Sequence, residues 1–248
     1  MAKTISTGAP GFDKSAAAKS VPASLKRARK ASYPPGMLRS SLVAEGRKMF
    51  EEMGPTELSM RKLAARLGVS EAAPSKHFSG KEELLAAIAS DGFRELAAQR
   101  EALSRKRLPP LEKARQMMLS YVRFACTHEG LFDLMIGPRV LPQFRSGELA
   151  ETTEKSYAYF SNSIFALGVA HGWSKDSLEY LAHAAWGMEH GIAALILARR
   201  IPREHSKLEL QATIEFAVDF FLASIVNGAP EKLKRPPKKP KPRKPKSD

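Results

Sequence analysis

Apolar residues recur at helical spacing through most of the chain, and no stretch alternates apolar and polar residues over a strand length. Leu42, Gly46, Met49, Phe50 and Met53 share one face of a helix expected from about Leu38 to Met53, which Gly54-Pro55 stops. Glycine at position 46 costs a helix about 1 kcal/mol against alanine, which implies that another helix passes close to it. Ser59 can cap a second, short helix in which Leu63, Ala64 and Leu67 recur. Gly68 follows, and glycine tolerates the left-handed backbone that ends a helix. Val69 plugs the angle, and Ser70 is read as the cap of a third helix running to about Phe78. Pro74 removes the first intrahelical bond of that helix and fixes how it starts. Two helices joined by a tight glycine-containing turn make a helix-turn-helix unit.

Ser79-Gly80-Lys81-Glu82 reads as a capping box opening a helix to about Ser104, with Leu84, Leu85, Ile88, Phe93 and Leu96 apolar. Helices are then expected over Leu111 to Thr127, Glu129 to Ile136, Glu148 to His171 and Asp176 to about Ala198, and a last one opens at a second capping box, Ser206 to Glu209. The last two helices carry two apolar stripes each. In the final one these are Leu208, Ala212, Phe216, Phe220 and Ala223, and Leu210, Ile214, Ala217 and Phe221. A helix apolar on two sides is covered on two sides, by its own domain and by further helices or a partner subunit. The expected fold is all-α: an N-terminal helix-turn-helix domain over 39–85 and a helical domain over 86–230.

Charge adds what the pattern lacks. The net charge is +14, but residues 1–38 hold +6 and residues 231–248 hold +7, so the body of the chain is nearly neutral. A basic excess of this kind points to nucleic acid or another anionic surface. Residues 1–38 have too little apolar content to offset ordering entropy and read as an arm, either a solvated leader or a DNA contact. The Lys/Pro-rich tail 231–248 reads as extended, and serves either solubility or sequence-independent DNA affinity. Cys126 is the only cysteine, which fits a reducing cytoplasm. No apolar run is long enough for a signal peptide or a membrane span.

Recognition of DNA needs phosphate contacts that hold register and base-edge contacts that read sequence. Arg39 and Lys81 stand at helix starts as phosphate candidates, and Lys76 and His77 can donate to phosphate. Ser59 and Ser70 are helix caps whose neighbouring N–H groups can point at phosphate. Arg61, Glu71, Ala72 and Ala73 are the base-reading candidates, since Arg pairs with guanine, Glu accepts from cytosine and Ala touches a thymine methyl. Glu71 is equally an ordinary carboxylate at a helix start.

Gly68-Val69-Ser70, Ala73-Pro74, His77-Phe78, Lys81-Glu82 and Leu84-Leu85 resemble the TetR family of bacterial repressors. Ser75 stands where that family usually carries a tyrosine packed on the DNA backbone. The resemblance implies a homodimer through the last two helices, an inverted-repeat operator on double-stranded DNA, and release by a small-molecule effector in the bacterial cytoplasm, at the nucleoid. Ala184 to Gly191 resembles the Trp-His-Gly segment of one subgroup, with Trp186 and His190 on one face. Phe124, His128, Met135, Phe160 and Ile164 are candidates to meet them in an all-helical pocket, or else are core residues. His171, His183, Glu189 and His190 lack the spacing of a metal motif, and no acid–base constellation marks an enzyme, so no metal, cofactor or catalytic residue is expected. The rival reading is a sequence-tolerant protein that coats the chromosome through both basic ends.

Overall fold

The apolar faces read along the sequence close on one another as helices. The computed structural model describes residues 33–228 except 35, 141, 146 and 202–206. The basic tail, nearly all of the arm and the Ser206 cap therefore lie outside the described residues. Among those described there are eight α-helices and no strand: α1 (Met37–Glu57), α2 (Met60–Arg66), α3 (Lys81–Ser104), α4 (Pro110–Thr127), α5 (Glu129–Ile136), α6 (Glu148–Ala170), α7 (Leu178–Leu197) and α8 (Lys207–Val226). No helix among the described residues is long and apolar enough to cross a membrane.

Gly54 breaks α1 at the expected place, with φ 77° and ψ 177°. The helix that passes close to Gly46 is α3: a Cβ at Gly46 would lie 3.2 Å from Ile88 Cδ1. Two cores share α4. One gathers Leu42, Phe50, Leu63, Phe78, Leu84 and Ile88 with Tyr121 and Phe124, and so joins α1 to α5. The other gathers Met117, Met118 and Val122 with Phe160, Ile164, Leu181 and Val218, and so joins α4 to α6, α7 and α8. In consequence α3 runs unbroken from the helix-turn-helix unit to the flank of α6 and α7. Ser90 Oγ, 3.2 Å from Thr152 Oγ1, pins it midway.

The capping box read at Ser79 to Glu82 is not what opens α3: Gly80 is its N-cap and no side chain caps it, while Ser79 N–H, one residue earlier, donates to Glu83 Oε2 at 2.6 Å. The bonds from the Ser79 N–H and side chain hold the Glu83 carboxyl below its ordinary range.

Candidate nucleic-acid interface and effector cleft

Ser59 caps α2 as expected, its Oγ accepting Lys62 N–H at 3.2 Å. Gly68, at φ 65°, lets the chain leave α2, and Val69 N–H returns to Ala64 O at 3.0 Å. The recognition segment differs from the sequence reading. Instead of a helix from Ser70 to Phe78 there are turns and a single 3-10 turn, Pro74–Lys76. Pro74 has no N–H to give the Ser70 carbonyl, which accepts Ala73 N–H at 2.9 Å in a tighter loop. Ser70 therefore contributes its carbonyl and is not a side-chain cap.

Glu71, Ala72, Ser75 and Lys76 are exposed on this segment, and His77 is half-buried. Ala73 is buried beside Pro74 at 8% exposure, so its methyl is turned away from any base, contrary to its place among the base-reading candidates. Arg61 Nε lies 3.1 Å from Glu71 Oε1 with both side chains exposed, so the two base-reading candidates hold each other across the turn. Arg39 sits over the Phe78 ring at 5.3 Å and bonds Glu148 Oε2, at the start of α6, at 3.0 Å. Glu148 also takes Arg94, so a phosphate candidate is held by an acid of the C-terminal helices. Lys81 is half-buried.

The pocket candidates separate. A cleft of ≈ 440 Å³ is walled by α3 (Phe93, Leu96, Arg100), α4 (Tyr121), α5 (Met135), α6 (Ser156, Tyr157) and α7 (His183, Trp186). Of the seven residues proposed from sequence, only Met135 and Trp186 line it. Phe124, Phe160 and Ile164 are fully enclosed core residues, because their helix faces point to the bundle interior. His128 sits between Glu51 Oε1 and Glu95 Oε1, at 3.3 and 3.4 Å, and bridges α1 and α3. His190 faces a separate cleft with Phe132, Ala194 and Leu197. Its Nδ1 lies 3.1 Å from the Tyr121 hydroxyl, and burial holds the imidazole below its ordinary pKa.

Sequence reasoning missed the ion pair beneath the cleft. Arg100 Nη2 lies 2.9 Å from Glu189 Oε1, with side-chain exposures of 4% and 0%. Arg100 Nη1 also donates to Ser156 O at 3.2 Å, and the guanidinium lies 5.1 Å from the Phe160 ring centre and 5.3 Å from that of Tyr121. Burial pushes the Glu189 carboxyl up from its ordinary range, while Arg100 draws it back. Glu189, weighed with the histidines as a metal ligand, is thus the counter-ion of Arg100. The signal that could have found the pair is register: Arg100 follows Phe93 and Leu96 on one buried stripe, and Glu189 stands between Ala185 and Ala193 on another.

Among the described residues, a helix-turn-helix unit heads a strand-free set of eight helices with a walled cleft behind it, the architecture of a DNA-binding regulator. The model for bacterial regulatory proteins of the TetR family matches residues 42–88, and that for tetracyclin repressor-like C-terminal domains matches residues 114–221. The chain belongs to the TetR family, whose members are DNA-binding transcriptional regulators. A protein of unknown function from Rhodococcus sp. RHA1 is 29% identical, with TM-score 0.66, covering 77% of this chain and 97% of that one. A TetR/AcrR family regulator from Thermobifida fusca is 20% identical, with TM-score 0.55, over 75% and 96% of the two chains. A TetR variant from Acinetobacter baumannii in complex with minocycline is 19% identical, with TM-score 0.53, over 78% and 96%. The last two show likeness of fold. No curated protein matches the chain by sequence.

Proposed function

We propose that the chain is a homodimeric repressor that binds an inverted-repeat operator through residues 59–81 of each subunit and releases it when a small molecule occupies the cleft. The course of α3 carries this reading. Its first turn is fixed to the recognition segment by Ser79 and Glu83, and its second half supplies Phe93, Leu96 and Arg100 to the cleft wall. A ligand that shifts the wall shifts the helix, and with it the spacing of the two recognition segments. Such a ligand binds the DNA-incompetent shape more tightly. A 100-fold loss of operator affinity corresponds to about 2.7 kcal/mol of coupling.

The exposed apolar faces support the dimer. Phe216 and Phe220 are 72% and 73% exposed and stack on one another at 6.1 Å, beside exposed Ala212 and Ala223. On α7, Leu195 is exposed and a Cβ on Gly187 or Gly191 would meet nothing within 4 Å, which leaves room for a second helix to come near. In this reading residues 39–85 read the operator, 86–230 bind effector and pair, and the arm 1–38 and tail 231–248 add affinity to any duplex. The setting is the bacterial cytoplasm, on the nucleoid.

Selection of bound fragments from random DNA by the full-length chain tests this. The expected result is an inverted repeat with half-site centres about 34–36 Å apart, bound at least ~10³-fold more tightly than bulk DNA. Enrichment of no repeat, with equal affinity for all fragments, ends the proposal in favour of a coating protein.

A further inference from the structure

The cleft between α3 and α7 has a chemistry that narrows its occupant, and the inference rests on its being the effector site. Its volume of ≈ 440 Å³ suits one small molecule. One side is a run of rings: Tyr157 stacks on His183 at 5.9 Å and 26°, and meets Trp186 edge-on at 6.0 Å and 67°. Trp186 remains 41% exposed, with Tyr157 at its edge, and Phe93 and Leu96 face the same space from α3. A flat aromatic body matches such a wall.

Two polar atoms close to this wall have no protein partner although both are closed to solvent: the Tyr157 hydroxyl and Arg100 Nε. The Nε–H only donates, and the phenol O–H can donate. What the wall lacks is therefore an acceptor. Charge decides which kind. The Arg100 charge is already matched by Glu189 at 2.9 Å, so an anion brought to Arg100 would find little net positive charge to offset its own desolvation. The other lining guanidinium, Arg145, donates to the carbonyls of Val140 and Gly137 at 3.1 and 3.0 Å, and Glu154 lines the same cleft with the opposite charge.

We propose that the cleft takes an uncharged, flat aromatic molecule bearing a carbonyl-type acceptor, with the ring against Tyr157 and Trp186 and the oxygen toward the Tyr157 hydroxyl and Arg100 Nε. Both donors are closed to solvent, so the acceptor reaches them by displacing the Tyr157 side chain. A site built around buried donors discriminates against an analogue that lacks the acceptor.

Equilibrium dialysis of the full-length chain with three matched probes tests this: 2-acetylnaphthalene, 2-ethylnaphthalene and 2-naphthoate. The ketone is expected to bind roughly tenfold or more tightly than the other two. Tyr157→Phe keeps the ring but removes the hydroxyl, and should bring the ketone within about threefold of the ethyl compound. Equal binding of ketone and ethyl compound, tighter binding of naphthoate, no binding of any probe, or a ketone preference that survives Tyr157→Phe would overturn the proposal. Operator affinity measured alongside separates the two readings. Naphthoate that binds and releases DNA leaves the effector reading standing while this proposal falls. A ketone that binds as expected without weakening DNA binding does the reverse.

Discussion

Arg100 and Glu189 offer a direct test of how the helices are held together. Both side chains are out of water, at 4% and 0% exposure, and their nearest atoms lie 2.9 Å apart. At a charge separation of roughly 4 Å and an effective dielectric constant near 20 their attraction is about 4 kcal/mol. Desolvating each ion costs several kcal/mol, so the intact pair contributes little net stability, whereas either charge left alone is expensive. Arg100→Met or Glu189→Leu should each destabilise the fold by about 3–5 kcal/mol. The double variant Arg100→Met/Glu189→Leu removes both charges, keeps roughly similar volume, and should return to within about 2 kcal/mol of the wild type. For a chain of this length 1 kcal/mol moves Tm by about 2–4 °C, so each single variant should melt roughly 6–20 °C lower and the double only slightly lower. Thermal unfolding by circular dichroism, at one protein concentration because self-association makes Tm concentration-dependent, reads the whole cycle. If the double variant is as unstable as the two single losses added together, the residues are not a coupled buried pair and the charge link from α3 to α7 does not hold the bundle together.

Three further outcomes follow from named contacts. Glu148→Gln releases Arg39 and should raise operator affinity and steepen the log–log salt dependence by about 0.9, one phosphate contact; an unchanged slope in filter binding would show that Arg39 does not meet DNA. Phe216→Glu/Phe220→Glu places charges on the open face of α8 and should yield a folded monomer in sedimentation that no longer binds the inverted repeat; a dimer that still binds would place the interface elsewhere. The folded-state pKa of Glu83 is lowered by the Ser79 bonds, so its contribution is present above the unfolded value of about 4.3 and is lost as pH falls through the folded value. Urea curves of wild type and Glu83→Gln should therefore differ at pH 7 and converge only once pH has fallen below the depressed folded value, and a gap that persists with the carboxyl fully protonated would assign the effect to something else.

What the sequence made legible depended on local rules, and what it hid depended on pairing across distance. Gly54, Gly68 and the Ser59 cap act on their own neighbours, and each stands where the spacing put it. Gly46 went further, because a missing side chain in a helix has to be filled by something, here Ile88. Pro74 does more than fix how a helix starts: with the Ser70 carbonyl turned to Ala73 N–H, the recognition segment keeps one 3-10 turn rather than a helix. The pocket failed for a different reason. Residue type does not decide which face of a helix looks into a cavity, and Phe124, Phe160 and Ile164 look into the core. A better guide was available in the charges. An arginine and a glutamate, 89 positions apart, each interrupt an apolar stripe on a different helix, and neither could be buried alone without a cost near that of the whole fold's margin. Two such interruptions of opposite sign specify each other. Their pairing reaches from α3 to α7 and places a matched charge directly beside the cleft that Arg100 lines.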